Sequence, residues 1–149
     1  ILHISIQDFC AIAPNKYDHI ICNPPFYATQ HFTLANGKAR QIARSSTTLN
    51  FKELFECATK LLSSLGVFSL IIPIENLDDI LDISEQNKLF LIRKTLVYPT
   101  SNKKANRVLL SFSKFNKETI EDKLIIQIGG RNEFSDKYIS LTRDFYTIL

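Results

Sequence analysis

The stretch from Tyr17 to Tyr27, Tyr-Asp-His-Ile-Ile-Cys-Asn-Pro-Pro-Phe-Tyr, constrains the fold more than any other part of the chain. Ile20, Ile21 and Cys22 form a short apolar run bounded by turn-formers, which suits a buried strand of a parallel sheet. The strand stops at Asn23, because Pro24 and Pro25 cannot donate ladder hydrogen bonds and each presets its own φ. Each also pushes the residue before it toward extended backbone. The chain therefore leaves the sheet stiffly. The Asn23 amide, the Pro24 carbonyl and the ring of Phe26 or Tyr27 are brought together at the carboxyl end of the strand, where open α/β sheets bind ligands.

That trio suits one chemistry. The exocyclic amine of a nucleobase is a poor nucleophile because its lone pair is delocalised into the ring. Acceptors on its two hydrogens bias it toward a tetrahedral, reactive form, and Asn23 Oδ1 with the Pro24 carbonyl makes two. The Phe26 or Tyr27 ring would stack on the extruded or single-stranded base, an interaction worth about 1–3 kcal/mol. Attack on an electrophilic methyl then needs no strong general base. Taken alone, Asn-Pro-Pro is equally a polar turn after a strand.

Three separated stretches carry a resemblance. Asp18 to Phe26 resembles the Asp/Asn-Pro-Pro-Phe/Tyr motif of class I S-adenosylmethionine-dependent amino methyltransferases. The run Ala39-Arg40-Gln41-Ile42-Ala43-Arg44, with Leu49 and Phe51-Lys52-Glu53-Leu54, is similar to a narrower branch, the bacterial tRNA-1(Val) adenine-37 N6-methyltransferases. Lys137 to Tyr146 resembles the C-terminal signature of that branch. The resemblance implies a catalytic motif of Asn23, Pro24, Pro25 and Phe26, and S-adenosyl-L-methionine as the cofactor. It also implies that Asp8 bonds the cofactor's adenine amine with Phe9 beside the ring, and that Asn23 lies against both cofactor and substrate. An ordinary turn carboxylate is the plainer reading of Asp8.

The chain has 149 residues, enough for one domain. A hydrophobic content of 45% with 22% charged residues excludes a disordered chain, and no apolar run approaches the ~18 residues of a membrane helix. The three cysteines, Cys10, Cys22 and Cys57, fit neither a disulfide framework nor a zinc site, and read as reduced thiols of a cytoplasmic protein. His3, His19 and His31 share no ligand spacing, so no metal is expected. A net charge of +3 permits a polyanionic partner without requiring one. There is no methionine, and none of the four glycines follows a first strand. By the resemblance, the chain reads as the C-terminal part of a methyltransferase, beginning at the third strand.

Taken in order, Leu2, Ile4 and Ile6 alternate with polar residues and predict a short strand. Residues 27–49 read as a loop followed by a short basic helix. There Lys38, Arg40 and Arg44 either grip RNA phosphates or form a solvated face. Asn50 caps the clearest helix, whose apolar stripe runs from Phe51 through Leu54, Phe55, Ala58, Leu61 and Leu62 to Leu65, with Gly66 ending it. Val67–Ile72 is an apolar strand. A second helix follows from Glu75 to Asn87, then strands at Leu89–Tyr98 and Arg107–Phe115. The polar loop between them and the start of the second strand hold Lys103, Lys104 and Arg107, a second basic spot for RNA. Residues 116–123 read as a connector, Leu124–Ile128 as a short strand, and Tyr138–Leu149 as a terminal helix docking on the sheet.

The expected architecture is therefore α/β, strands three to seven of a Rossmann-like class I methyltransferase sheet with complete order 3-2-1-4-5-7-6 and an antiparallel last strand. In that order strand four has a bare edge. A missing N-terminal half, a second copy, or the displaced Ile1–Ile6 segment would pair with it. The expected function is N6-methylation of an adenine in a tRNA loop, with Tyr27 and the basic residues contacting RNA and no membrane partner. Ribosomal-RNA guanine N2- and protein glutamine N5-methyltransferases share the motif, although the basic stretch disfavours the protein substrate. A catalytically silent RNA-binding fragment and a purely structural α/β domain are the remaining readings.

Overall fold

A computed structural model describes residues 1–24, 50–130 and 132–146. Five strands form one sheet: β1 (Tyr17–Cys22), β2 (Leu62–Pro73), β3 (Phe90–Thr100), β4 (Arg107–Ser113) and β5 (Ile120–Gln127). Their spatial order is β1-β2-β4-β3-β5. β4 runs antiparallel to both β2 and β3, while β1 pairs with β2, and β5 with β3, in parallel. The first four strands thus reproduce the expected 4-5-7-6 order, with the antiparallel strand inserted between five and six.

The core lies on one face of this sheet. Helix α2 (Phe51–Leu61) opens with the Asn50 side chain accepting from the Lys52 amide at 2.9 Å, so the first-turn donors are capped as the sequence predicts. Its stripe buries Leu54, Phe55, Ala58 and Leu61 against Phe68, Leu70 and Ile72 of β2 and Val108, Leu110 and Phe112 of β4. Phe55 sits edge-on to Phe68 at 5.2 Å and to Phe112 at 5.4 Å between centroids, the favoured aromatic geometry. A 3-10 turn (Ile74–Asn76) leads into α3 (Leu77–Gln86), which buries Ile80 and Ser84. Helix α4 (Asp136–Thr142) docks on β5, with Lys137 Nζ 2.5 Å from Asp122 Oδ2. The Lys137 hydrogen bond, followed by one from the Lys123 amide, holds the Asp122 carboxyl below its ordinary range.

Four expectations are corrected. Leu2 and Ile4 are exposed and form no strand; the chain instead enters helix α1 (Ile6–Ile12), whose N-cap Ser5 accepts from the Asp8 amide at 3.1 Å. Three alternating residues cannot sustain a strand without a neighbour, and here a Ser-x-x-Asp cap is available to the same segment. Second, α2 ends at Leu61 rather than at Gly66, so Leu65 is not core but 75% exposed. Gly66 lies within β2, where a Cβ would stand 2.8 Å from the Tyr17 carbonyl and 2.7 Å from Leu62. Its role is close backbone approach beside a register shift in the β1–β2 ladder, not helix termination. Third, the connector over 116–123 is strand from Ile120 onward, because Ile120 to Lys123 extend the parallel ladder on Arg93 to Leu96, with Lys94 and Glu121 paired at 2.6 Å. Finally, the terminal helix begins at Asp136 and ends at Thr142. The loop and basic helix predicted for 27–49 lie outside the described residues.

A set of side-chain contacts zips the first segment and the start of β1 onto α2 and the start of β2. Gln7 Nε2 donates to Glu53 at 2.9 Å, Cys10 lies against Cys57, Lys16 Nζ donates to the Lys60 carbonyl, and Ser63 donates to Asp18 at 2.6 Å. The partners are 46, 47, 44 and 45 residues apart, a nearly constant offset. Phe55→Ala is expected to remove about 3–5 kcal/mol. Urea denaturation of wild type and variant checks this, and a midpoint unchanged within error would show that the core does not pivot on this ring.

Candidate active site

The candidate site is built where β1 ends. Ile20 and Cys22 of β1 turn toward the core and are partly buried, but the intervening Ile21 is 85% exposed on the opposite face, so β1 is not the buried strand that its apolar run predicts: the core covers one face of the sheet only. Burial pushes the Cys22 thiol up from its ordinary value, which keeps it a neutral packing group beside the site. Asn23 follows as an exposed residue and Pro24 as a buried one. The proline thus anchors the turn while the amide faces outward. The remaining motif residues Pro25, Phe26 and Tyr27, and the basic residues Lys38, Arg40 and Arg44, lie outside the described residues.

Two further elements reach the same edge. β4 is antiparallel, so its first residue Arg107 pairs with Pro73 at the end of β2 and with Val97 near the end of β3. Cys22 pairs with Leu70, and Leu70 with Leu110, which sets Asn23 level with Ile71 and Leu109. At ~4.8 Å between strands and ~3.3 Å per residue, Arg107 lies about 12 Å from Asn23, measured between backbones. The loop is tied down: the Asn106 amide donates to Val97 O, and Asn106 O accepts from both the Ile74 amide at 3.3 Å and Arg107 Nη1 at 2.8 Å. Lys103 and Lys104 project from it, exposed. Arg107 differs from the two lysines in being half-buried and engaged with backbone, so part of its role is to hold the loop.

Asp8 arrives by way of α1. Because α2 leads directly into the amino end of β2, its own first turn lies toward the carboxyl edge of the sheet. The Gln7–Glu53 contact carries the first turn of α1, and Asp8 with it, toward that edge. Asp8 is exposed, and its Oδ2 accepts from Ser5 Oγ at 2.7 Å. Phe9 is half-buried against Tyr17, ring centroids 6.0 Å apart. The Asp8 carboxylate is thus held by Ser5 and the Phe9 ring by Tyr17; these are the two residues that the resemblance sets against an adenine. Ser5 is the residue that sequence reasoning passed over: it both starts α1 and orients the Asp8 carboxylate. The Ser-x-x-Asp spacing was its signal.

Comparisons with known proteins address the fold and the sequence as a whole. No family model matches the chain. Among solved structures, a predicted O-methyltransferase from Agrobacterium tumefaciens superposes with a TM-score of 0.62 at 20% identity, over 85% of this chain and 51% of that one. A Thermus thermophilus protein described as a DNA modification methylase, complexed with S-adenosyl-L-methionine, gives 0.54 at 11% identity, over 96% of this chain and 64% of that one. The fold is that of the class I S-adenosylmethionine-dependent methyltransferases. In sequence the chain is similar to the tRNA1(Val) (adenine(37)-N6)-methyltransferases of Flavobacterium psychrophilum, 35% identical over 97% of this chain and 60% of the relative, and of a Shewanella species, 36% identical over 98% and 62%. The Pseudoalteromonas translucida protein of the same name is 37% identical over 95% of this chain and 59% of its own length. The chain thus spans about 60% of the length of the curated relatives it matches.

Among the described residues, no helix is long and apolar enough to cross a membrane, and no group of three or more His, Cys, Asp or Glu is arranged to hold a metal. Asn23 is exposed and not part of the core. Asn23→Ala should change unfolding free energy by less than about 0.5 kcal/mol, whereas Ser5→Ala should lose about 1 kcal/mol with its cap. Urea melts of both variants test this, and the reverse ranking would make Asn23 structural.

Proposed function

We propose that this chain carries the amine-recognition part of an S-adenosylmethionine-dependent methyltransferase that acts on N6 of an adenine in a tRNA loop. The observation that carries the reading is the exposed Asn23 on a buried Pro24, at the carboxyl end of a parallel strand in a methyltransferase sheet. Similarity over nearly the whole of this chain to relatives named for adenine-37 of tRNA1(Val) supports the base and the RNA. Asn23 Oδ1 and the Pro24 carbonyl accept the two hydrogens of the amine, turning its lone pair out of the base plane and toward the methyl. Phe26 or Tyr27 stacks on the base, and Pro25 keeps the turn stiff. Asp8 and Phe9 hold the adenosine of the cofactor. S-adenosylmethionine, when bound, supplies an electrophilic methyl; the proton leaves the amine to solvent after transfer.

RNA would be held along the same edge. Lys103 and Lys104 are exposed cations that contact phosphates as mobile point charges, with Lys38, Arg40 and Arg44 in the same role. A tRNA substrate implies a cytoplasmic protein. Among the described residues no strand pairs with the outer edge of β1, and Ile21 is exposed beside it, which supports pairing with another strand, from further chain or from a second copy.

The test is methyl transfer from labelled S-adenosylmethionine to a tRNA1(Val) transcript, with the modified nucleoside identified by mass spectrometry. N6-methyladenosine is expected, with Asn23→Ala slower by about 10²-fold or more, the usual consequence of losing one transition-state hydrogen bond. Lys103→Ala with Lys104→Ala should weaken tRNA binding at every sequence and lower its salt dependence by about one phosphate contact per lysine. Methylation of guanine instead of adenine, or full activity in Asn23→Ala, would overturn the reading.

A further inference from the structure

Outside the proposed site, the α1–α2 contact brings two cysteines together. Cys10 and Cys57 are 47 residues apart in sequence, yet Cys10 Sγ donates to the Cys57 carbonyl oxygen at 4.0 Å and both side chains border the same cavity. Their meeting is set by the register of the two helices. Gln7 holds Glu53 one turn earlier; three residues on along α1 and four on along α2, both on the facing sides of their helices, stand Cys10 and Cys57. The two thiols are not equivalent. Cys57 is 7% exposed, whereas Cys10 is half-buried. Both line an open cavity of about 310 Å³, which Gln7, Glu53, Glu56 and Lys60 also border. Solvent-borne oxidants therefore reach Cys10 first, with the Lys60 ammonium nearby.

We propose that Cys10 and Cys57 form a redox-active dithiol that a peroxide converts to an intramolecular disulfide joining α1 to α2. The Cys10 thiolate attacks one peroxide oxygen and the O–O bond breaks, giving a sulfenic acid at Cys10 and, with a proton, one water. The Cys57 sulfur then attacks the Cys10 sulfur; the S–O bond breaks, and the leaving hydroxide takes the Cys57 proton as a second water. Two thiols lose two electrons and the peroxide gains them. Burial, and then the neighbouring Cys10 side chain, push the Cys57 thiol up to about 11, which leaves the first attack to Cys10 and makes resolution by Cys57 the slower step. A disulfide needs Cα atoms about 5.5–6 Å apart, so the link would fix the spacing of α1 and α2 at this turn. Cys22, on β1 and packed against the core, has no part in this. The inference does not depend on the methyl-transfer reading.

The experiment is treatment of the whole protein with hydrogen peroxide, followed by thiol counting and peptide mapping without reductant. Free thiols should fall from three to one, with Cys10 and Cys57 peptides linked within one molecule and the mass about 2 Da lower. Dithiothreitol should restore all three. Cys10→Ser should keep Cys57 reduced and prevent the link, while Cys22→Ser should leave the link intact. Because Cys10 is half-buried, its serine variant should fold, and a native circular dichroism spectrum verifies that. Three thiols remaining after peroxide, a link that includes Cys22, or a link found only between molecules would overturn the proposal.

Discussion

The Phe55 ring, set edge-on between Phe68 and Phe112, is the interaction from which the structure is assembled. It joins a helix to two antiparallel strands, β2 and β4, at the middle of the sheet. Those two strands provide everything that follows: β1 pairs on one side of them and β3 on the other. Around the ring, Leu54, Ala58, Leu62, Ile72, Val108 and Leu110 are fully or almost fully buried. Because interiors are close-packed, rotation of α2 on the sheet would strip these contacts together rather than one by one. The segment before β1 then takes its place from α2 through its side-chain rungs. The position of Asp8 relative to the end of β1 is thus decided indirectly, by a helix that contributes no chemistry.

Much of this was legible in the residues, and the reasons are local. β1 announces itself by apolar residues followed by two prolines, and α2 by an amide cap and a stripe at three- and four-residue spacing. β2 is an almost wholly apolar run. The antiparallel insertion of β4 was expected from resemblance, and the register of seven pairs with β2 bears it out. What misled was shared periodicity. Leu2, Ile4 and Ile6 alternate like a strand, but a Ser-x-x-Asp cap and the absence of an adjacent strand turn the segment helical at Ile6. Leu65 fits the helical stripe, yet the chain has already become strand at Leu62, and Gly66 owes its place to the Tyr17 carbonyl rather than to a helix end. Charged residues hid the start of β5, whose Glu121 and Lys123 are exposed positions on an edge strand.

The site was partly readable in the same way. A strand followed by Asn-Pro-Pro predicts a polar group displayed at the carboxyl edge, and Asn23 is exposed there. The loop carrying Lys103 and Lys104 reaches that edge because an antiparallel strand must begin where its neighbours end. Arg107 was less readable, since charge alone cannot distinguish a phosphate contact from a backbone clamp. Its donation to the carbonyl of the adjacent Asn106 has no signature in charge. Nor could the sequence pair Cys10 with Cys57. That contact depends on two helices 47 residues apart holding one register, which only packing reveals.

The two margins of the sheet are unlike. β5 displays Glu121 and Lys123, with Asp122 neutralised by Lys137, and α4 lies over it. Ile120 is its one large apolar exposure. β1 displays Ile21 and carries no acid or base over 20–22; among the described residues no strand pairs with its outer side. The two margins are therefore unequal as surfaces for strand addition: charge guards β5, while the stretch of β1 that leads to Asn23 carries no such guard.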